Sequence, residues 1–159
     1  MNDTELTHLN ANGEANMVDV GGKAVTERTA RAYARLRMAP ETLEKLLAAQ
    51  LRKGDGLAAA RIAGIMGAKK TAELIPLCHT IPIEKIDVTF EKESDTALGI
   101  FSYAKCEYKT GIEMEALTAV SIAALTVYDM CKAIDRGMTV EEIRLLAKTG
   151  GKSDYRYEG

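Results

Sequence analysis

From Val25 to Met38 the chain alternates: Ala30, Ala32, Ala34, Leu36 and Met38 fall on one side, and Arg31, Tyr33, Arg35 and Arg37 on the other. A period of two belongs to a half-buried strand, so a strand is predicted here. Ala39-Pro40 closes it, and Pro40 suits the first turn of a helix in which Leu43, Leu46, Leu47 and Leu51 recur at helical spacing. That helix is predicted to end near Lys53-Gly54. Asp55 then stands where it caps a second helix, GLAAARIAGIMGAKKTAELI. Its small residues permit close packing while its glycines weaken its intrinsic preference. The residue before a proline is pushed out of the helical region, so this helix must stop before Pro76.

Two further alternating runs follow. IEKIDVTFE aligns Ile86, Val88 and Phe90, and LGIFSYAKCEY aligns Ile100, Ser102, Ala104 and Cys106. The linker KESDTA between them reads as a hairpin. Thr110-Gly111 breaks the alternation, and EMEALTAVSIAALTVYDMCKAID is the longest helical stretch, apolar almost all round at its middle and therefore buried on most sides. After Gly137 come a turn at TVEEI and the apolar segment IRLLAK, which fits either a strand or a helix. Read as a strand, it completes the order strand, helices, strand, strand, helix, strand. That order predicts an α+β fold of the ferredoxin-like, split β-α-β kind, with helices covering one face of an antiparallel sheet. The other sheet face mixes charged and apolar positions, which suggests burial of part of it by a second subunit. The 159 residues read as a single domain, with a polar leader over about 1–19 and a flexible tail over about 149–159.

Composition adds mainly exclusions. No apolar run approaches the ~18 residues of a membrane span, and the polar start MNDTELTHLNANGEANMVDV lacks the pattern of a secretory signal, so a cytoplasmic location is expected. Cys78, Cys106 and Cys131 have no CxxC spacing, which suits reduced thiols and argues against a structural zinc. With 21 basic against 23 acidic side chains, no overall field attracts nucleic acid. The absence of Trp and of an aromatic-basic RNA-binding pattern points the same way. An anionic ligand would have to be held by a local cluster.

Candidate chemistry is scattered. Asp129 and Lys132, three apart near the end of the long helix, project from one face; this is also what a surface ion pair looks like. Glu115 shares that face of the helix but lies roughly 21 Å away along the axis. The two therefore serve separate purposes, or they meet across a two-fold subunit contact. Glu113 and Glu115 flank Met114 at a helix start, where the dipole favours acids in any case. In AKTGGKS, a phosphate-loop reading fails because Leu146 stands where glycine is needed, yet Lys148 and Lys152 can still offer point charges to phosphate. Lys53 precedes a helix start that favours anions, and Arg28 lies on the first strand. In PLCHTIP, His79 is suited to proton transfer. Its neighbour Cys78 reads as a packing residue rather than a nucleophile.

Taken together, NMVDVGGKA, KGDGLAAARIAGIMGAKKTAELIPLCHTIP, KTGIEMEALTAVSIAALTVYDMCKAID and RLLAKTGGKS, in this order, resemble the MoaC family of molybdenum cofactor biosynthesis proteins. The resemblance runs from about Leu6 to Ser153. It implies a ferredoxin-like fold and a homohexamer, a trimer of dimers with active sites at dimer interfaces. The implied activity is that of a lyase, cyclic pyranopterin monophosphate synthase. It converts (8S)-3',8-cyclo-7,8-dihydroguanosine 5'-triphosphate, delivered by a radical S-adenosylmethionine enzyme, into cyclic pyranopterin monophosphate and pyrophosphate. Matching site residues are Lys53, His79, Glu113, Met114, Glu115, Asp129, Lys132 and Lys148, with Leu77 and Cys78 beside the substrate and Arg28 and Lys152 as phosphate contacts. Thr80 departs from the frequent PLCHP form, and the tail beyond Ser153 is short.

On this reading Asp129, Lys132, Lys53 and His79 are the catalytic set. Arg28, Leu77, Cys78, His79, Glu113, Met114, Glu115, Lys148 and Lys152 bind substrate. No cofactor is required, although magnesium can accompany the triphosphate, and no metal site, nucleic acid or membrane partner is expected. The competing expectation is a regulatory module that binds a nucleotide or pterin without consuming it, since fold does not fix function.

Overall fold

The computed structural model describes residues 8–159. The first strand, β1 (Thr26–Arg37), buries Ala30, Ala32, Ala34 and Leu36, the alternating set that its sequence marks. Next come α1 (Pro40–Leu47), α2 (Gly56–Lys69) and a single turn, α3 (Thr71–Leu74). The hairpin β2 (Lys85–Ser94) and β3 (Ala97–Tyr108), the long α4 (Glu113–Cys131), β4 (Thr139–Thr149) and a two-residue β5 (Tyr155–Arg156) complete the chain.

These elements form an α+β protein in which one five-stranded antiparallel sheet, ordered β2-β3-β1-β4-β5, packs against helices. The central strands β1 and β3 pair along their whole length, from Thr26 opposite Tyr108 to Arg37 opposite Ala97. The β1–β4 register shifts at Arg31/Ala32 and again at Arg35/Leu36; such irregularities sharpen a sheet's twist. On one face lie α2 and α4. Ala116, Ala119, Val120, Ala123, Ala124 and Val127 of α4 meet Leu36, Leu98 and Ile100 of the sheet in one core. Each fully buried Leu or Ile there contributes about 1.5–3 kcal/mol.

The small residues of α2 have a packing cause. A Cβ on Gly64 would lie 2.8 Å from the carbonyl oxygen of Ala119 and 3.3 Å from the Ala123 Cβ, so the two helix backbones touch at that point. By length and composition α4 reaches the size of a membrane span, at 19 residues and mean hydropathy 1.3, which corrects the expectation that no apolar run does so. Half of that window is buried inside the protein, and α4 is a core helix.

Several boundaries differ from the sequence expectation. Helix α1 stops at Leu47 instead of near Lys53, because Ala49 takes a left-handed φ of 54° and turns the chain. Leu51 still reaches the core, from the loop. The second helix divides at Lys70, after which Thr71 Oγ1 donates to the Ala68 carbonyl. Asp55 caps α2 as expected, accepting from the Ala58 N–H at 3.0 Å. The hairpin strands run to Ser94 and from Ala97, so most of KESDTA is strand. TVEEI, expected as a turn, belongs to β4, and IRLLAK is strand rather than helix. The tail expected to be flexible carries β5, which pairs Arg156 with Ala147 and Tyr155 with Lys148.

On the face away from the helices, Tyr33 and Phe101 have ring centroids 5.1 Å apart, and Arg31 lies 5.0 Å from the Tyr103 ring. The Tyr33 hydroxyl donates to Glu93 at 2.6 Å, and Arg35 pairs with the same carboxylate at 2.8 Å. Burial, then the Glu93 hydrogen bond and charge, push the Tyr33 phenol up to about 12.

Candidate active site

The sequence-marked residues collect into two places, one at each end of α4. At the N-terminal end a cavity of about 390 Å³ opens between the ends of β1 and β4, the Leu77–Ile81 loop and the first turn of α4. Arg28, Leu77, Cys78, His79, Glu113, Met114, Glu115, Lys148 and Lys152 all line it.

Each is set there by local structure. Arg28 sits near the start of β1 and donates to the carbonyls of Tyr108 and Lys109 at 3.4 and 3.3 Å, which holds its guanidinium at the cavity wall. Lys148 comes from the far end of β4, opposite Ala30, and its Nζ is 3.5 Å from a Glu113 oxygen. Beyond β4 the chain turns at Gly150, with φ of 92°; a Cβ there would fall 1.9 Å from the Glu27 carbonyl oxygen. That turn is closed by Thr26 Oγ1 donating to the Gly150 carbonyl at 2.7 Å, and it brings Gly151 and Lys152 to the cavity. Gly111 has a similar function. A Cβ on it would lie 2.0 Å from Glu113 Oε2, so glycine allows that carboxylate to fold back over the helix start.

The two glutamates are unlike ordinary first-turn acids. Glu115 is 3% exposed, and Oε2 of both Glu113 and Glu115 is buried without a hydrogen-bond partner. Burial of the charge pushes the Glu115 carboxyl up to about 7; a hydrogen bond from its own backbone N–H works against this, and the neighbouring Glu113 charge adds to it. It therefore exchanges a proton near neutrality, as a general acid or base requires. Burial and then the same two carboxylates push the Cys78 thiol up, away from the thiolate that a nucleophile needs. His79 Nε2 lies 2.6 Å from the Val18 carbonyl oxygen.

At the other end of α4, Asp129 accepts from Lys132 Nζ at 2.7 Å and from Lys53 Nζ at 3.1 Å, while Lys53 also donates to the Asp129 carbonyl at 3.0 Å. The loop before α2 fixes Lys53: Gly54 has φ of 102°, and a Cβ on Gly56 would sit 2.6 Å from Leu46 Cδ1. Hydrogen bonds from Lys132 and then Lys53 hold the Asp129 carboxyl below its usual range, and Asp129 in turn raises Lys132. Lys132 is thus held as a cation beside the ionised Asp129. Asp129 and Lys132 share an exposed helix end, open to whatever approaches it.

Sequence reasoning did not assign the stretch from Val18 to Lys23, whose Val18, Val20 and Lys23 also line the cavity, nor His8, Thr29 and Thr110. The stretch has neither helical nor strand periodicity; its only signal was its place in NMVDVGGKA, one of the segments that carry the family resemblance. Among the described residues, no group of three His, Cys, Asp or Glu side chains comes together as metal ligands.

Residues 17–151 match the model of the MoaC family. Two cyclic pyranopterin monophosphate synthases, from Chloroflexus aurantiacus strains J-10-fl and Y-400-fl, are each 58% identical over 150 residues, covering 94% of this chain and 92% of theirs. The matched span takes in Arg28, His79, Glu113, Glu115 and Lys148 of the basic cavity and the Lys53, Asp129 and Lys132 cluster alike, and the chain belongs to the MoaC family.

Proposed function

We propose that this protein is a cyclic pyranopterin monophosphate synthase, a lyase of molybdenum cofactor biosynthesis. The observation that carries this beyond family membership is the cavity at the start of α4. Basic side chains of Arg28, Lys148 and Lys152 surround a buried carboxyl, Glu115, that titrates near neutrality. A triphosphate needs the cations, most of all on the departing pyrophosphate. The rearranging ring needs a proton donor and acceptor shielded from water.

In this reading the substrate is (8S)-3',8-cyclo-7,8-dihydroguanosine 5'-triphosphate, supplied by a radical S-adenosylmethionine enzyme. A sugar-derived hydroxyl attacks the α-phosphate, its oxygen–phosphorus bond forms as the bond to pyrophosphate breaks, and the cyclic phosphate closes. Arg28, Lys148 and Lys152 neutralise the phosphates, with Lys148 exchanging Glu113 for substrate. Glu115 relays a proton at the ring, and Leu77, Cys78 and Met114 pack against it. Lys132 donates a proton under the control of Asp129, and Lys53 holds that aspartate ionised. No redox or resident metal cofactor is required by this sum, and magnesium enters only with the triphosphate.

The two clusters lie at opposite ends of a 19-residue helix, roughly 28 Å long at 1.5 Å per residue. One small substrate does not span that distance, so each active site combines the basic cavity of one subunit with the Lys53, Asp129 and Lys132 cluster of its neighbour. Such sharing suits a two-fold pairing, and a homohexamer built as a trimer of dimers in the cytoplasm. The strand order supports a finer description of the fold too: β3 lies between β1 and β2, and β1 between β3 and β4, which is the ferredoxin-like split β-α-β arrangement extended by β5.

The test is to mix the purified protein with the cyclised triphosphate and follow pyrophosphate and pterin together. Both appear with the wild type and neither with Lys132→Ala, which stays folded because Lys132 is exposed. Tight binding without either product would make the protein a binding module and sink the enzyme reading.

A further inference from the structure

The stretch Val18–Lys23 forms a strap whose Val18, Val20 and Lys23 line the basic cavity, and it is pinned along its length. His79 Nε2 bonds the Val18 carbonyl at 2.6 Å, and Lys109 Nζ donates to the Gly21 carbonyl at 3.0 Å. Inside the strap, Gly21 N–H donates to Asp19 Oδ1 at 2.8 Å and Lys23 N–H to the Val20 carbonyl at 3.1 Å, while the Val20 side chain is buried. These contacts fix the backbone of a turn whose last residue, Lys23, lines the cavity with Arg28, Lys148 and Lys152.

Among the described residues Lys23 makes no ion pair, whereas Lys148 is partly neutralised by Glu113. The two acids nearest in sequence are both engaged, Asp19 with its own turn and Glu27 with Lys105 at 3.0 Å. A carbonyl oxygen only accepts, so the His79 Nε2 facing it carries the hydrogen whether the ring is neutral or charged. That nitrogen is committed to the strap and is not the atom that takes a proton from substrate.

We propose that Lys23 is a further binding residue for the phosphates of the substrate, and that His79 is a positioning residue that latches the strap carrying it. This rests on the synthase reading for the identity of the ligand, but not for the anion site itself. The arrangement explains why a proline-framed turn, Pro76 to Pro82, holds a histidine beside a packing cysteine: the turn fixes the latch at the edge of the cavity.

The probe is inorganic tripolyphosphate, titrated calorimetrically into the full chain, beside steady-state kinetics with the cyclised triphosphate. A charge-assisted contact is worth at least tenfold in affinity. Lys23→Ala is therefore expected to weaken tripolyphosphate binding and raise KM by roughly tenfold or more, with kcat within about threefold of wild type. His79→Ala should weaken tripolyphosphate similarly, and His79→Gln, whose amide N–H reaches the Val18 carbonyl, should restore most of that loss and of the turnover.

Unchanged binding and KM in Lys23→Ala overturn the assignment of Lys23. A His79→Gln variant as inactive as His79→Ala, with normal tripolyphosphate affinity, overturns the latch and makes the histidine a proton carrier. A wild type that binds tripolyphosphate through Lys23 yet forms no pterin leaves the anion site standing and fails the synthase reading alone.

Discussion

Glu115 is the residue whose burial is hardest to account for by packing. An ionised carboxylate at 3% exposure, with one oxygen unpartnered, opposes folding. Its proton is held to about 7 in the folded chain against an ordinary 4.5. Between those values the native state binds more protons than the unfolded one, so this group lowers stability as pH rises from about 4.5 to 7, and the loss is complete above that. The difference corresponds to about 3 kcal/mol. Glu115→Gln removes the charge and keeps the shape, so wild type should lose stability relative to the variant as pH rises from 5 to 8. Urea midpoints of both proteins across that range check this, and parallel curves would mean that Glu115 ionises freely. Asp129 is the opposite case, an exposed carboxylate held ionised by two lysines. Asp129→Asn should leave the melting temperature nearly unchanged while cutting pyrophosphate release by about 10²-fold or more, the usual worth of a positioned proton-transfer group.

Among the elements, α2 and α4 meet at a backbone-to-backbone contact that leaves no room for a side chain. Gly64 faces the Ala119 carbonyl, a backbone atom that cannot rotate away. Adding a methyl there gains up to ~1 kcal/mol of helix propensity but forces the helices apart, a cost of about 1–3 kcal/mol. Gly64→Ala should therefore lower the melting temperature by several degrees in a thermal scan. No change would mean that the helices separate at little cost. This contact also shows how far the sequence was legible. The helix α4 was legible from its long apolar stretch, and where hydrophobic and polar positions alternate, as in β1 and β3, the period named the element and core residues directly. Where tertiary contacts override local preference, it did not: Ala49 turns the chain out of α1 at a left-handed φ, and β4 begins at Thr139 because β1 offers it a partner. The two-residue β5 has no period to detect. The site residues were legible through their motifs, whereas the motif NMVDVGGKA did not reveal that Val18 to Lys23 lie at the cavity, because that place is set by His79 and Lys109 from distant parts of the chain.

For the whole molecule, the decisive feature is that α4 separates two clusters which the proposed reaction needs together. Glu113, Glu115 and Lys148 stand at one end, and Asp129, Lys132 and Lys53 at the other. On the proposed assignment of roles, a monomer with this geometry has two half-sites and no complete one. If contacting subunits pair these halves across a two-fold axis, each dimer holds two composite sites, and damage to opposite ends is separable. Lys132→Ala and Lys148→Ala should each be nearly inactive alone. When the two are mixed and allowed to exchange subunits, half of a random population of dimers is mixed, and each mixed dimer carries one site with both lysines intact and one with neither. Turnover should then return to about a quarter of the wild-type rate, since half the dimers regain one of two sites. The same mixture cross-linked before mixing should stay inactive, which ties the recovery to exchange. Recovery in neither case would place both lysines in the site of one subunit and require α4 or its flanking loops to rearrange when substrate binds.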